Sequence, residues 1–246
     1  MTIPDRACIA AIIFDVDGVL LDSPHEQAWR EALTGFGDPA RFTTALYQSQ
    51  VAGKPRLDGA RAALTALGVR DDDARAQAYA QAKQARLEAL IAAGAVKAFP
   101  DALRFVRDVS LFGWPLAVAS SSKNAEAMLD QIRLPSGRSL RDAFVGDVCG
   151  RDVPHGKPAP DLFLMAARTL DRPPGQCVVI EDAPAGIAAA RAAGMSALGV
   201  ARLQDATSLE AAGADLVVPH LDAVSRPDLA MGVLRTLPAA LQAGRA

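Results

Sequence analysis

Lysine is scarce in this 246-residue chain. Only Lys54, Lys83, Lys97, Lys123 and Lys157 stand among its 26 basic residues. The rest are arginine, so a lysine here is informative about the position that holds it. Cysteine is scarcer: Cys8, Cys149 and Cys177 are odd in number and form no C-x-x-C pair. That excludes a disulfide framework and a thiolate zinc site and fits a reducing compartment. Cys8 and Cys177 border strand-like runs and read as core residues. No apolar run approaches the roughly 18 residues of a membrane span, and the first residues lack the basic and apolar regions of a signal peptide. The expectation is a soluble, cytoplasmic protein. A formal net charge of -2 leaves no basic footprint, so neither nucleic acid nor a membrane is an expected partner. No G-x-G-x-x-G follows a strand. No P-loop occurs either, because Gly53-Lys54 and Gly156-Lys157 each run into proline.

What is present begins with Ile9 to Phe14, an apolar run that reads as a buried strand of a parallel sheet. It ends in Asp15-Val16-Asp17-Gly18, which puts two carboxylates at the carboxyl end of a strand, where open α/β sheets bind ligands. Gly18 permits a sharp turn there. Asp and Gly also suit an ordinary turn. A calcium loop is excluded because its glycine stands sixth, not fourth.

Ser23-Pro24-His25-Glu26 reads as a capping box with proline at the first helical position. It predicts a helix from Pro24 to about Gly35, with Ala28, Trp29 and Leu33 on its apolar face. Helical patterns follow over 40–51, 57–67 and 71–93, without a convincing strand; the acidic start at Asp71 suits a helix N-terminus. Strands at 115–119, 144–148, 177–180, 197–200 and 216–218 then alternate with helices at 101–112, 123–132, 161–170 and 184–193. The tail from Pro227 is predicted helical. Such alternation argues for an α/β fold, a Rossmann-like parallel sheet flanked by helices. The core would comprise residues 1–20 and 98–246. An all-helical cap domain would be inserted at 21–97, and the short crossings at 20–24 and 97–100 suit a hinge.

Three later strands lead into polar groups. Ser120, Ser121, Ser122, Lys123 and Asn124 follow one of them, and small hydroxyls with backbone N–H groups ahead of a helix make an anion site; a serine-rich helix cap is the plain alternative. Lys157 lies in the proline-bounded loop Gly156-Lys157-Pro158, where it is either a site residue or a solvated turn lysine. Glu181-Asp182 ends the strand from Cys177. Together Asp15, Asp17, Glu181 and Asp182 would crowd one sheet edge. Two like charges 4 Å apart repel by about 1 kcal/mol in water and about 4 kcal/mol at an effective dielectric of 20. A divalent cation and Lys157 would offset them, and Mg²⁺ suits an all-oxygen site shared with a substrate phosphate. The chemistry indicated is phosphoryl transfer with a carboxylate nucleophile.

Phe14-Asp15-Val16-Asp17-Gly18-Val19, Ser120, Lys157 before Pro158 and Asp161, and Glu181-Asp182 resemble the four motifs of the haloacid dehalogenase superfamily, in order and across the whole core. The resemblance implies that Asp15 is the nucleophile, becoming an aspartyl phosphate. Asp17 is then the general acid/base, with its backbone carbonyl on the metal. Ser120 and Lys157 hold the phosphoryl group, and Asp182 with Glu181 completes the Mg²⁺ site. Dehalogenation is disfavoured, since those members lack the acid at Asp17 that leaving-group protonation requires.

Within the insert, Lys83 lies on the stripe Tyr79–Lys83–Leu87–Ile91, where it either snorkels to solvent or points into a cleft. His25 falls in a first helical turn, whose dipole favours its neutral form. The set His25, Arg56, Lys83, Ser121, Lys123 and Asn124 resembles the substrate-binding residues of the β-phosphoglucomutase branch. There the equivalents orient Asp17's counterpart, grip a distal phosphate and contact the phosphoryl site. The Asp22–His25 segment is shorter than in the well-known mutases, and the loop before Arg56 differs. Two enzyme readings follow: a mutase converting β-glucose 1-phosphate to glucose 6-phosphate, and a phosphatase of a sugar phosphate or similar metabolite. A non-catalytic phosphate-binding module is the remote third. The partner expected is a hexose phosphate, and the protein is expected to be a monomer, because closure needs a free cap.

Overall fold

The apolar run at the start forms strand β1 (Ala11–Phe14), in a computed structural model that describes residues 8–69 and 73–238. The elements that follow are β2 (Leu21–Asp22), α1 (His25–Ala32), α2 (Thr44–Leu46) running into a π-helical turn (Tyr47–Val51), α3 (Arg56–Ala66) and α4 (Asp73–Ala92). Next come β3 (Lys97–Ala98), α5 (Pro100–Ser110), β4 (Leu116–Val118), α6 (Ala125–Gln131), β5 (Gly146–Asp147) and α7 (Asp161–Thr169). The described chain closes with β6 (Cys177–Glu181), α8 (Pro184–Ala192), β7 (Ser196–Val200), α9 (Ala206–Ala211), β8 (Leu216–Val218) and α10 (Arg226–Ala230).

Six strands form one parallel sheet in the order β5-β4-β1-β6-β7-β8. Strand β1 is central and pairs on both sides: Phe14 faces Val118 on β4 and Ile180 on β6. Successive strand side chains point to opposite faces, so Ile12 and Phe14 enter one apolar cluster with Phe105 and Val109. Ala11 and Ile13 enter the other, with Phe163 and Ile187. Burial on both faces explains why these strands read as unbroken apolar runs rather than alternating ones. The chain leaves β1 first for β4 on one side and later for β6 on the other. A crevice therefore opens at the carboxyl end of β1.

Helices α1, α3 and α4 pack on one another around Trp29, Leu33, Leu64 and Tyr79. Tyr79 donates its hydroxyl to the Trp29 carbonyl at 2.8 Å. The crossings to and from this helical insert are not plain linkers. They pair as an antiparallel ribbon, Leu21 with Ala98 and Asp22 with Lys97, and Phe99 N–H donates to the Leu20 carbonyl.

Several expectations change. Ser23 is not an N-cap: the helix begins at His25 with Pro24 in the cap position, and the Ser23 hydroxyl donates to the Asp17 carboxylate, a charge-assisted bond. Glu26 pairs with Arg30 and accepts from Thr44 instead of closing a capping box. Cys8 is exposed, because strand pairing begins only at Ala11; Cys149 and Cys177 are buried. The helix predicted over 71–93 is helical from the first described residue, Asp73, to Ala92; its predicted start at Asp71 lies outside the described residues. Among the described residues of the tail the helix covers Arg226–Ala230 and ends before Gly232, which has φ +78°; residues 239–246 lie outside the described residues. No helix among the described residues is long and apolar enough to cross a membrane.

Candidate active site

Asp15 extends β1 into the crevice and is 5% exposed. Glu181, the last residue of β6, is fully buried beside it. Between them lies Lys157, whose Nζ donates to Asp15 Oδ1 at 2.5 Å and to Glu181 Oε1 at 2.6 Å. The other Glu181 oxygen accepts the backbone N–H groups of Asp182 and Ala183, both at 3.0 Å. Two glycines make this packing possible. A Cβ on Gly186 would lie 1.8 Å from Glu181 Oε1, and one on Gly18 would lie 1.9 Å from Asp182 Oδ2.

Electrostatics follow from burial. Desolvation raises the Asp15 carboxyl to about 8. Lys157 works against that rise, while Glu181 and Asp17 add to it. Asp182 is also raised well above the ordinary range, first by burial and then by Glu181 and Asp15. Burial disfavours the Lys157 ammonium, but Asp15 and Glu181 outweigh it and hold the proton above the usual lysine range. One ammonium thus serves the three crowded carboxyls of Asp15, Glu181 and Asp182. Carboxylate oxygens of Asp15, Glu181 and Asp182 lie within 4.8 Å of one another. An all-oxygen, charge-deficient cluster of this kind fits a hard divalent cation.

Above this floor is a cavity of about 490 Å³ between the sheet edge and the helical insert. Asp15, Asp17, Ser120 and Asp182 line it from the sheet side, and His25, Arg56 and Lys83 from the insert. Lys157 and Glu181 sit beneath it, with side chains fully buried. Ser120 is 2% exposed, and its Oγ accepts from Ser122 N–H at 3.1 Å. Lys83 does not snorkel. It is 3% exposed, packs over Trp29, and its Nζ lies 2.9 Å from His25 Nδ1. Burial lowers it to about 7.

His25 is lowered to about 4, mainly by burial, with Lys83 and Arg56 adding and Asp17 opposing. The imidazole is therefore neutral at physiological pH, for a stronger reason than the helix dipole. An amine that donates to Nδ1 leaves the ring proton on Nε2. That nitrogen lies 3.5 Å from Asp17 Oδ2 and 3.4 Å from Ser122 Oγ. The result is a chain of contacts from Lys83 through His25 to Asp17.

The insert also touches the sheet side directly. Ser121 Oγ donates to the Gly53 carbonyl at 3.1 Å. Asn124 and Gln84 exchange two amide hydrogen bonds, at 3.0 and 3.2 Å. Lys123 turns toward the exposed Asp152, at 3.0 Å. Several cavity residues escaped the sequence reading, Tyr47, Gln48 and Arg202 among them. Tyr47 and Gln48 belong to the π-helical turn, a rare geometry frequent at functional sites that no periodicity reveals. Arg202 follows β7 at the same sheet edge that carries the acids, and the strand-end rule applied to Asp15 also picks it out.

A family model described as haloacid dehalogenase-like hydrolase matches residues 9–194. The chain is 35% identical over 202 residues to the fructose-1-phosphate phosphatase YqaB of Escherichia coli, covering 78% of this chain and 96% of that protein. It is 32% identical over 238 residues to a beta-phosphoglucomutase of Mycobacterium bovis, covering 87% and 90%. A solved archaeal beta-phosphoglucomutase from Pyrococcus superposes with a TM-score of 0.71 at 30% identity, covering 89% of this chain and 96% of that one. These relatives are enzymes, and their names divide between removing phosphate from a sugar and moving it within one. With the four motif segments converging at the end of β1, the chain belongs to the haloacid dehalogenase-like hydrolases, as an enzyme of the sugar-phosphate phosphatase or phosphoglucomutase kind.

Proposed function

We propose that this enzyme moves the phosphoryl group of a hexose phosphate through Asp15, as a β-phosphoglucomutase-like catalyst. The Lys83–His25–Asp17 chain carries the reading. A phosphatase needs its acid to serve one leaving group and then water. A mutase needs it held in register for two sugar hydroxyls in turn, and His25 Nε2, 3.5 Å from Asp17, supplies such a constraint.

In this reading an Asp15 oxygen attacks phosphorus, and the P–O bond to the sugar breaks as Asp17 gives that oxygen its proton. Asp17 later takes the proton of the accepting hydroxyl as the phosphoryl group leaves Asp15. Ser120 and Lys157 hold the phosphoryl oxygens, with Ser121, Lys123 and Asn124 around them, and Arg56 grips the distal phosphate. Asp15, the Asp17 backbone carbonyl and Asp182, with Glu181, would hold Mg²⁺, which supplies positive charge against the phosphoryl oxygens and the crowded acids. The helical insert acts as a cap whose closure excludes water.

The phosphatase reading keeps Asp15 and Asp17 and replaces the accepting hydroxyl with water. The 35% identity to a fructose-1-phosphate phosphatase favours it. A paired product assay separates the two. Protein with Mg²⁺, β-glucose 1-phosphate and a trace of glucose 1,6-bisphosphate is followed for glucose 6-phosphate and for free phosphate. The mutase reading expects glucose 6-phosphate to outpace phosphate; phosphate alone would refute it and establish the phosphatase.

A further inference from the structure

Arg202 is built into the turn that carries Asp17. Its Nε donates to the Gly18 carbonyl at 2.7 Å, and its Nη2 to the Val19 carbonyl at 2.9 Å. Its Nη1 lies 3.2 Å from both oxygens of Asp101. The guanidinium stacks on the Phe99 ring, 3.6 Å from its centre. Asp101 is itself pinned by the Leu221 N–H at 2.7 Å. The side chain is only 14% exposed, yet it lines the cavity. It therefore clasps both crossings to the helical insert: Gly18 and Val19 lead into the first, and Phe99 ends the second.

The turn that Arg202 holds is tight. Gly18 has φ +79°, its N–H donates to the Leu21 carbonyl, and Leu20 and Leu21 N–H both return to the Val16 carbonyl. With its N–H groups turned inward, the turn presents the Gly18 and Val19 carbonyls outward, and Arg202 meets them. A planar fork with five donors can serve two carbonyls and a carboxylate together, whereas an ammonium cannot hold that geometry.

We infer that Arg202 is a positioning residue for Asp17, fixing the general acid relative to Asp15 by clamping the Gly18–Val19 turn against the hinge. The inference rests on the phosphoryl-transfer reading. It predicts a loss that depends on the leaving group. An alkoxide must be protonated as it departs, so misplacing the acid by an ångström is expensive; 4-nitrophenolate leaves as a stable anion and needs little help.

The test compares Arg202→Ala and Arg202→Lys with the native protein on glycerol 2-phosphate and 4-nitrophenyl phosphate, with glucose 1-phosphate alongside and thermal melts as a folding control. The expected result is a fall in kcat on the order of 100-fold for the alkyl ester. The aryl ester should stay within about threefold. If the alanine variant does not fold, the lysine variant carries the same comparison. Equal losses on both esters, or none on either, overturn the role. A native protein that cleaves the two esters but no sugar phosphate sinks the sugar reading, and Arg202 is still decided by the ester pair. A native protein inert toward all three overturns both.

Discussion

Replacing Lys83 by methionine should make the protein more stable while damaging its chemistry. The ammonium is 3% exposed; its neighbours are the neutral His25 ring, at 2.9 Å, and the Trp29 face, at 5.1 Å. Burial moves its titration from 10.5 to about 7. At about 1.36 kcal/mol per pH unit, charging it in the folded state costs about 5 kcal/mol. A folded-state value below the unfolded one means that the unfolded chain binds the extra proton between pH 7 and 10.5. The Lys83 contribution to native stability therefore rises with pH across that window, and its full penalty is felt below pH 7. Methionine keeps the volume and has no charge to bury. Swaps of buried ionic groups for apolar ones of similar size often gain about 1–4 kcal/mol, and Lys83→Met should fall in that range at pH 6. By pH 9 its advantage should shrink by about 2–3 kcal/mol as the native lysine loses its proton. His25 titrates near 4, outside the window, and Asp15, raised to about 8, is common to both proteins, so the pH dependence of the gap between them belongs to Lys83. Denaturant unfolding of both proteins at pH 6, 7.5 and 9 reads the difference. A variant less stable than native at pH 6, or a gap that does not change with pH, would refute the reasoning. Activity on hexose phosphate should fall, because His25 loses the partner that fixes its tautomer.

Lys157→Met should act in the opposite sense, since it leaves Asp15 and Glu181 buried without a counterion. A loss of about 3–5 kcal/mol is expected at pH 7 without added metal, measured by guanidinium unfolding. Gly186→Ala should lower the melting temperature and abolish turnover together, because the new methyl would occupy the position of the Glu181 carboxylate; a variant with native activity would show that Glu181 is free to move.

The strand-end acids were legible because chemistry and burial collide there: Ile12–Phe14 and Val178–Ile180 can only be interior strands, and a charge at the end of such a run has to be at the sheet edge. Lys157 was legible for a similar reason, as one of only five lysines and, with Lys54, one of two set between glycine and proline. The orientation of Lys83 was not, because an apolar stripe fixes the face of a helix but not what that face meets. Ser23 was misread because the helix starts one residue later than the capping pattern implies and its partner, Asp17, comes from the preceding turn. Arg202 was passed over because its partners, Gly18, Val19 and Asp101, lie 101 to 184 residues away. Only the sheet order, with β6 and β7 beside β1, brings them together.

The reciprocal amides of Gln84 and Asn124 make the two halves of the cleft each other's ligand. Neither carboxamide has to wait for a guest to be satisfied. A ligand group that recruits Asn124 must first displace Gln84, the neighbour of Lys83 along the same helix. Its arrival would loosen one of the direct ties between helix α4 and the sheet side of the cleft.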